Sequence, residues 1–381
     1  MAGQAALVWG GPIPYNFGPS HPLQPIRVEL AVELMRAYGL LDRPNVQLIP
    51  PRLASDDELQ LIHTADYIAA VRQAGESGDC WASVPRYCLG PGDNPIFPQM
   101  HEASAQVVGG SLDAAAFVMQ GPDRHAFSIA GGLHHAMRAN ASGFCIYNDA
   151  SIAIEQLRRA HDARVLYLDT DAHHGDGVQA AFYDTDEVLT ISFHESGRFL
   201  FPGTGFVPDS GVSAGKGYAV NVPLPPGAGD DAYLAAFDAL VPALARAYKP
   251  DVIVNQNGAD AYQDDPLAHL RTSTGFYRHV ARTVHRLAHE LCQARWLALG
   301  GGGYDLLSAV PRAWTLVFAE LAGAELPDAI PQSWLELSQA KGSRRQPRSL
   351  LDPPTTSGEK EMAEVAKVID AVRQEIPLLH A

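Results

Sequence analysis

The residues best suited to chemistry lie in the stretch 164–177, which reads RVLYLDTDAHHGDG. An apolar run at 165–168 has the character of a buried parallel strand. It is followed within eight residues by five ionisable side chains, namely Asp169, Asp171, His173, His174 and Asp176. Isolated buried charges are costly, so this density indicates a functional site rather than an ordinary strand-to-helix loop. Carboxylate and imidazole at alternate positions suit one divalent cation beyond the end of a strand.

Three further groups follow other predicted strands. The pair His134-His135 comes after a short strand at 126–130 and two glycines, and Asp260 follows a strand at 251–255. A strand at 296–299 leads into four consecutive glycines, 300–303, and then Tyr304. Such a glycine run permits close backbone approach and positive φ, which is typical of a site loop.

The elements that must position these residues are strands alternating with helices. We predict roughly eight strands, which include 5–9, 46–49, 165–168, 188–193 and 218–224 besides those above. This alternation predicts a parallel α/β fold. Ligands bind beyond the carboxyl ends of strands in such sheets, which is where the chemical groups fall. We also expect an alanine-rich helix over 99–120 to be interrupted at Gly109-Gly110, and the polar segment 341–359 to be a mobile surface segment.

Length and composition favour one large α/β domain over residues 1–381. The net charge of −15 argues against direct binding of nucleic acid. No apolar run approaches the length of a membrane span. The four cysteines form no CxxC pair and are expected as small core residues in a reducing compartment. The sequence therefore predicts a cytoplasmic enzyme.

The candidate metal ligands are Asp171, His173 and Asp260. Three protein ligands leave a position open for water or substrate. Two carboxylates and one imidazole suit Zn²⁺, and also Fe²⁺, Mn²⁺ or Co²⁺. Such an ion lowers the pKa of its bound water to about 7 and polarises a carbonyl group.

Amide hydrolysis also needs proton transfer and an oxyanion donor. The His134-His135 pair can transfer protons, with Asp169 and Asp176 as orienting carboxylates. Tyr304 can donate its O–H to the oxyanion. Since the sequence has no serine elbow, Walker loop or dinucleotide fingerprint, these groups predict a metal-assisted amidase.

Several long motifs in order resemble the zinc-dependent histone deacetylase family, close to bacterial acetoin-utilisation proteins and acetylpolyamine amidohydrolases. They are YNFGPSHPLQPIR, GGLHHAMRANASGFCIYND, YLDTDAHHGDGVQAAFY, ISFHESGRFLFPGTG, GKGYAVNVPL, NGADAYQDDPLA and GGGGY. They cover residues 15 to about 305, inside a core that ends near 322. The segment 323–381 carries no motif.

The resemblance implies the arginase/deacetylase fold with an eight-stranded parallel sheet. It assigns the metal to the three ligands given above and makes His135 the general base and acid. His134 is then an electrostatic partner of His135. Asp169 pairs with His134, and Asp176 pairs with His135. Tyr304 stabilises the oxyanion.

The resemblance also implies contacts to substrate and to potassium. Gly143, Phe144 and Phe201 would flank an acyl-lysine tunnel, Asp93 would contact substrate backbone at its rim, and Arg27 would lie near an internal cavity. Two K⁺ sites are implied. The inner one would use Asp169, Asp171, His173, Ser192 and Phe193, and the outer one Phe182, Thr185, Val188 and Tyr218.

The substrate remains open at this point. Acetyl-lysine in proteins or peptides is favoured because Leu267 stands where polyamine-specific members are expected to place a glutamate. Acetylated polyamines and other small acetylated amines are the alternative. A two-manganese ureohydrolase is less favoured, since Gly175 and Tyr262 replace its extra carboxylates. A non-catalytic acyl-lysine binder is expected to lose a ligand, a histidine or Tyr304, and all are present.

Overall fold

The computed structural model describes residues 3–12, 14–344 and 346–380. Within these residues eight strands form one parallel sheet in the order β2-β1-β3-β8-β7-β4-β5-β6. The strands are β1 Gln4–Val8, β2 Val46–Ile49, β3 Arg124–Ser128, β4 Val165–Asp169, β5 Val188–Glu195, β6 Ala219–Leu224, β7 Val252–Gln256 and β8 Trp296–Leu299. The prediction of a parallel α/β fold with about eight strands is confirmed.

Helices cover both faces of the sheet. They are α1 Ile26–Ala37, α2 Asp56–Leu59, α3 Ala65–Ser77, α4 Met100–Met119, α5 Asp149–His161, α6 Asp176–Ala181, α7 Asp230–Tyr248, α8 Thr274–Leu291, α9 Ala309–Leu321, α10 Gln332–Ala340 and α11 Glu359–Glu375. Successive strand side chains point to opposite faces. Leu166 and Leu168 accordingly pack with the helices α1, α7, α8, α9 and α11, whereas Val165 and Tyr167 pack with α4, α5 and α6.

Helix α4 is not interrupted, which corrects the expectation for Gly109-Gly110. The helix passes so close to the loop after β2 that a Cβ at Gly109 would overlap with the carbonyl group of Arg52. At Gly110 a Cβ would lie 3.2 Å from Val8 of β1. The two glycines therefore allow close packing of a continuous helix, a role that local propensity does not distinguish from helix breaking.

The stretch 352–357, between α10 and α11, is hydrogen-bonded to the body of the protein. Asp352 accepts a hydrogen bond from the Arg312 guanidinium at 2.7 Å. The backbone N–H groups at the start of α7 are capped from this segment, because Gly229 donates to Ser357 Oγ and Asp230 donates to Thr355 Oγ1. Helix α11 then packs against α7 and the edge strand β6.

Two smaller findings complete the fold. All four cysteines are free, but Cys80 and Cys88 are exposed rather than part of the core. Among the described helices, none is both long and apolar enough to cross a membrane.

Candidate active site

Five loops meet at the carboxyl edge of the sheet. They follow β3, β4, β5, β7 and β8. Four of these strands are the ones that the sequence analysis placed before chemical groups, and the loop after β5 carries Phe201. Because β8, β7, β4 and β5 are neighbours in the sheet, residues far apart in the chain come together. The site is largely buried, with Asp169, Asp171 and Asp260 each at most 1% exposed.

The three candidate metal ligands face one point. His173 Nδ1 lies 3.1 Å from Asp171 Oδ1 and 3.0 Å from Asp260 Oδ2. Burial and the neighbouring Asp171 carboxylate raise the pKa of Asp260 to about 6. Although burial opposes its charged form, the two carboxylates raise the pKa of His173 to about 10. The site therefore favours a positive charge at this point, and the donor set fits a divalent cation.

The two adjacent histidines are each held by a carboxylate. His134 Nδ1 lies 2.7 Å from Asp169 Oδ2, and His135 Nδ1 lies 2.7 Å from Asp176 Oδ1. Asp169 Oδ2 also accepts the hydroxyl hydrogen of Tyr167 at 2.6 Å. Both rings are therefore oriented through Nδ1, and their Nε2 atoms lie 3.0 Å apart.

The glycine loop after β8 brings Tyr304 to the ligands. A Cβ at Gly302 would overlap with the Asp260 carboxylate, so only glycine fits there. The Tyr304 N–H donates to Asp265 Oδ2 at 2.7 Å. Burial, with Asp260 and Asp171 adding to it, raises the pKa of the Tyr304 hydroxyl well above its ordinary value. The hydroxyl therefore stays protonated and can act as a hydrogen-bond donor.

A narrow cavity of about 280 Å³ leads to this group. Its lining includes His135, His173, Gly143, Phe144 and Tyr304. The Phe144 ring centroid lies 5.9 Å from that of Tyr304. Phe201 is 42% exposed, and its ring centroid lies 5.1 Å from that of His135. The aromatic rings expected to flank a tunnel are thus both next to the site.

The rim residues are more distant from the metal ligands. Asp93 is exposed, and its carbonyl oxygen lies 3.3 Å from Nε2 of His21, whose ring centroid is 4.5 Å from that of Phe144. Leu267 is half-buried, and its N–H donates to Asp265 Oδ1 at 2.9 Å. Both residues are therefore linked to the cavity wall through one intervening side chain.

Arg27 is buried and lines a second cavity of about 470 Å³, which shares Leu23 and Leu133 with the first. Its Nη1 donates to the carbonyl oxygen of Gly303 at 3.0 Å. The guanidinium carbon also lies 6.0 Å from the centroid of the Tyr304 ring. Arg27 therefore reaches the site, and it supports the backbone of the glycine loop.

The residues implied for the inner potassium site lie on adjacent strands. Asp169 of β4 pairs in register with Ser192 of β5, and Phe193 follows Ser192. Those implied for the outer site lie between the end of α6 and the start of β6. There the Thr185 N–H donates to the Phe182 carbonyl oxygen at 3.4 Å, Val188 begins β5, and the Tyr218 carbonyl oxygen accepts from Thr190.

Three supporting residues were not found from the sequence. Asp149 accepts hydrogen bonds from the N–H groups of Gly132 and Leu133 and so fixes the loop that carries the two histidines. Gln256 donates to Asp171 Oδ2 at 2.7 Å. Asp265 holds Tyr304 as described above. The one available signal was the polar run Asn255-Gln256-Asn257, which is unusual at the end of a buried strand.

Comparison with known proteins assigns a class to this arrangement. Residues 21–321 match the model of the histone deacetylase domain. The structure of a histone deacetylase homologue complexed with SAHA superposes with a TM-score of 0.85 and 32% identity, covering 98% of this chain and 100% of that one. The structure of a homologue from Aquifex aeolicus superposes with a TM-score of 0.84 and 31% sequence identity, and the match covers 97% of this chain and 100% of that one. The fold is thus the arginase/deacetylase fold, and the chain belongs to the histone deacetylase family.

The curated relatives narrow the comparison to bacteria. The acetoin utilization protein AcuC of Bacillus subtilis is 44% identical over 370 residues, which are 95% of each chain. AcuC of Staphylococcus xylosus is 40% identical over 322 residues, 84% of this chain and 83% of that one. The resemblance stated from the motifs is therefore confirmed.

Proposed function

We propose that the protein is a zinc-dependent deacetylase that removes acetyl or other acyl groups from lysine side chains. The observation that best supports this is one cavity lined by His135, Asp171, His173 and Tyr304, with Asp260 grouped beside Asp171 and His173. Proton transfer, oxyanion stabilisation and metal binding are the three requirements of this reaction.

The divalent ion would be held by Asp171, His173 and Asp260, and when bound it supplies Lewis acidity. Zn²⁺ is our proposal, and Fe²⁺, Mn²⁺ and Co²⁺ suit the same donors. His135, with its Nδ1 fixed on Asp176, takes a proton from the attacking water at Nε2 and returns it to the leaving amine. Tyr304 donates its O–H to the oxygen that gains negative charge.

Acyl-lysine is the preferred substrate because the cavity is narrow and aromatic. Phe144 and Phe201 would pack along the four-carbon stem of lysine, and Gly143 leaves room between Phe201 and His135. Asp93 would receive substrate backbone N–H groups at the rim. Leu267 offers no charge to a distal ammonium, which disfavours acetylpolyamines and other small acetylated amines as the main substrates. They remain the alternative.

We also infer the two potassium sites by family resemblance, with the residues given in the sequence analysis. The inner set includes backbone oxygens at the ends of β4 and β5, next to the metal ligands. A monovalent cation there would offset part of the negative charge of Asp169 and Asp171. We infer likewise that residues 1–381 form one deacetylase domain, since α11 packs on the same core as the strands.

A two-manganese ureohydrolase fits the site poorly. A Cβ at Gly175 would overlap with the Asp169 carboxylate, so the aspartate that a second metal ion needs has no room there. Tyr262, at the other position, receives a hydrogen bond at its hydroxyl from Arg312 at 3.2 Å. A purely binding role is disfavoured because the oriented histidine pair has no use in binding alone.

The test compares kcat/KM of the zinc-loaded protein on an acetyl-lysine peptide and on N-acetylputrescine. We expect a clear preference for the peptide. Leu267→Glu should raise the relative kcat/KM for N-acetylputrescine, whereas the uncharged Leu267→Gln should not. A wild-type preference for the polyamine would overturn the substrate assignment. No activity on either substrate with zinc bound would overturn the proposed function.

A further inference from the structure

A second group of histidines lies at the opposite edge of the sheet. His125 is the second residue of β3, at the amino end of that strand, whereas His134 and His135 follow its carboxyl end. His285 and His289 lie one turn apart on α8 and face His125. One ring nitrogen from each of the three histidines lies within 4.8 Å of the others. None of these residues contributes to the candidate active site.

The four nearest polar atoms have the spacing of a metal-ligand set. His285 Nε2 and His289 Nε2 are 2.9 Å apart. Asp123 Oδ1 lies 3.8 Å from His289 Nε2 and 4.0 Å from His125 Nε2. Zn–N and Zn–O bonds in a tetrahedral site place neighbouring ligand atoms about 3.4 Å apart. Side-chain movements of up to about 1 Å would therefore close the group around one ion.

His125 is the observation that points to a ligand. The residue is 1% exposed, and among the described residues its ring nitrogens have no hydrogen-bond partner of normal geometry beyond a weak contact with the backbone of Ala294. The Asp123 Oδ1 atom is also buried, and among the described residues it also has no hydrogen-bond partner. Buried polar atoms without partners are costly and rare, and an ion between them is one of the few explanations.

The orientation of His285 supports the same conclusion. Its Nδ1 lies 3.0 Å from Oε1 of Glu320 on α9, so this nitrogen carries the hydrogen and the lone pair of Nε2 faces His289 Nε2. A carboxylate on the outer nitrogen is the usual way in which a metal-binding histidine is held and made more basic. The side chain of His289 is 48% exposed, which gives an ion access from solvent.

We propose that Asp123, His125, His285 and His289 bind a second divalent transition-metal ion of the Zn²⁺ type. Three imidazoles and one carboxylate suit Zn²⁺, and Co²⁺ or Ni²⁺ as substitutes. Four protein ligands leave no position for a substrate, so the site is structural. It joins the start of β3 to the last turns of α8, on the far side of the sheet from the reaction.

The test is a metal count on the untagged, full-length protein. The protein is stripped with a chelator, dialysed against Zn²⁺ or Co²⁺ alone, and analysed for bound metal. We expect two equivalents in the wild type and one in His289→Gln. The matched control is His279→Gln on the same helix, where the ring contacts Asp238 instead, and it should retain two. Asp260→Asn should retain one, and the double variant Asp260→Asn/His289→Gln none.

Two further measurements separate this site from the first. Glu320→Gln should weaken binding of the second equivalent by about 10- to 100-fold while leaving the first unchanged. The His289→Gln variant should keep the deacetylase activity, because His289 does not line the active-site cavity. One equivalent in the wild type, or two in His289→Gln, would overturn the proposal and identify a hydrogen-bonded histidine cluster without metal. Neither result would bear on the deacetylase function.

Discussion

The Nε2 atoms of His134 and His135 lie 3.0 Å apart, although each ring is bound through Nδ1 to its own aspartate. Two lone pairs cannot face each other at this distance, so one proton lies between the rings and the pair carries one positive charge. Although burial opposes this charge, Asp169 and Asp171 raise the pKa of His134 to about 9. Burial and the charge on His134 lower the pKa of His135 to about 4. The two rings thus differ in protonation, and a neutral His135 is what the proposed role of this residue as general base requires.

Replacing His134 should therefore change the pH profile. In His134→Gln the positive charge is removed, so the pKa of His135 rises and the acid limb of kcat/KM moves to higher pH, by roughly one unit. The measurement is kcat/KM on an acetyl-lysine peptide between about pH 3.5 and 9, a range that includes the limb set by the His135 pKa of about 4 in the wild type. His279→Gln, on the surface of α8, should leave the limb in place. A limb that stays, or moves to lower pH, would contradict the assigned roles.

The hydroxyl of Tyr304 should matter for turnover and not for metal binding. Tyr304→Phe removes the oxyanion donor and is expected to lower kcat by about 10²- to 10³-fold. Bound zinc, counted by elemental analysis, should not change. Tyr38→Phe is the control, because that hydroxyl donates to the Ala329 carbonyl oxygen outside the cavity. Near-wild-type turnover in Tyr304→Phe would remove this residue from the mechanism.

Replacing Gly143 by alanine should lower the catalytic activity by more than its effect on stability explains. A Cβ there would overlap with the His135 ring and lie 2.9 Å from Phe201, and φ is +50°. Gly39 has a φ of +70°, and no atom lies within 4 Å of a Cβ added there. An alanine at this position would therefore cause backbone strain without any overlap. Gly39→Ala should lower the free energy of unfolding by about 1 kcal/mol through backbone strain, and Gly143→Ala should lower it further because of the overlap with His135. Only Gly143→Ala should lose most of its kcat, and equal activity of the two variants would count against the packing argument.

His63 should make the protein sensitive to acid. Its Nε2 accepts the N–H of Asn148 at 2.9 Å, and burial lowers its pKa to about 4. Between the unfolded pKa near 6.5 and this value the unfolded chain binds more protons, so stability falls as the pH falls. The contribution lost by pH 5 is about 2 kcal/mol. Urea unfolding at pH 7 and pH 5 should show a smaller loss for His63→Gln, whose amide oxygen can replace the acceptor. An equal loss in both proteins would exclude His63 as the cause.

Most of the sheet and the reacting groups could be predicted from local pattern. A buried strand such as β4 is apolar along its whole length, and the ionisable residues that follow it cannot belong to the core. Their convergence also followed from the fold class, because parallel strands end at the same edge. The pairing of Asp169 with His134, by contrast, came from family resemblance.

The remaining features depend on contacts that no local pattern records. Gly109 and Gly110 look like helix breakers until the loop that packs against them is known. Asp149, Gln256 and Asp265 resemble ordinary polar residues, and their importance lies in which N–H groups or carboxylates they meet. His125 reads as one polar residue in a strand, and only the packing of α8 gives it neighbours.

The caps that Thr355 and Ser357 place on the start of α7 have a consequence for synthesis. These residues, and α11 after them, leave the ribosome later than every strand of the sheet. Until they arrive, β6 is an unprotected strand edge and the first turn of α7 has free N–H groups. An exposed edge can pair with another chain, so a stalled or truncated product would tend to aggregate even though its catalytic residues are all present. Thr355, Ser357 and helix α11 thus cap the start of α7 and cover the sheet edge at β6.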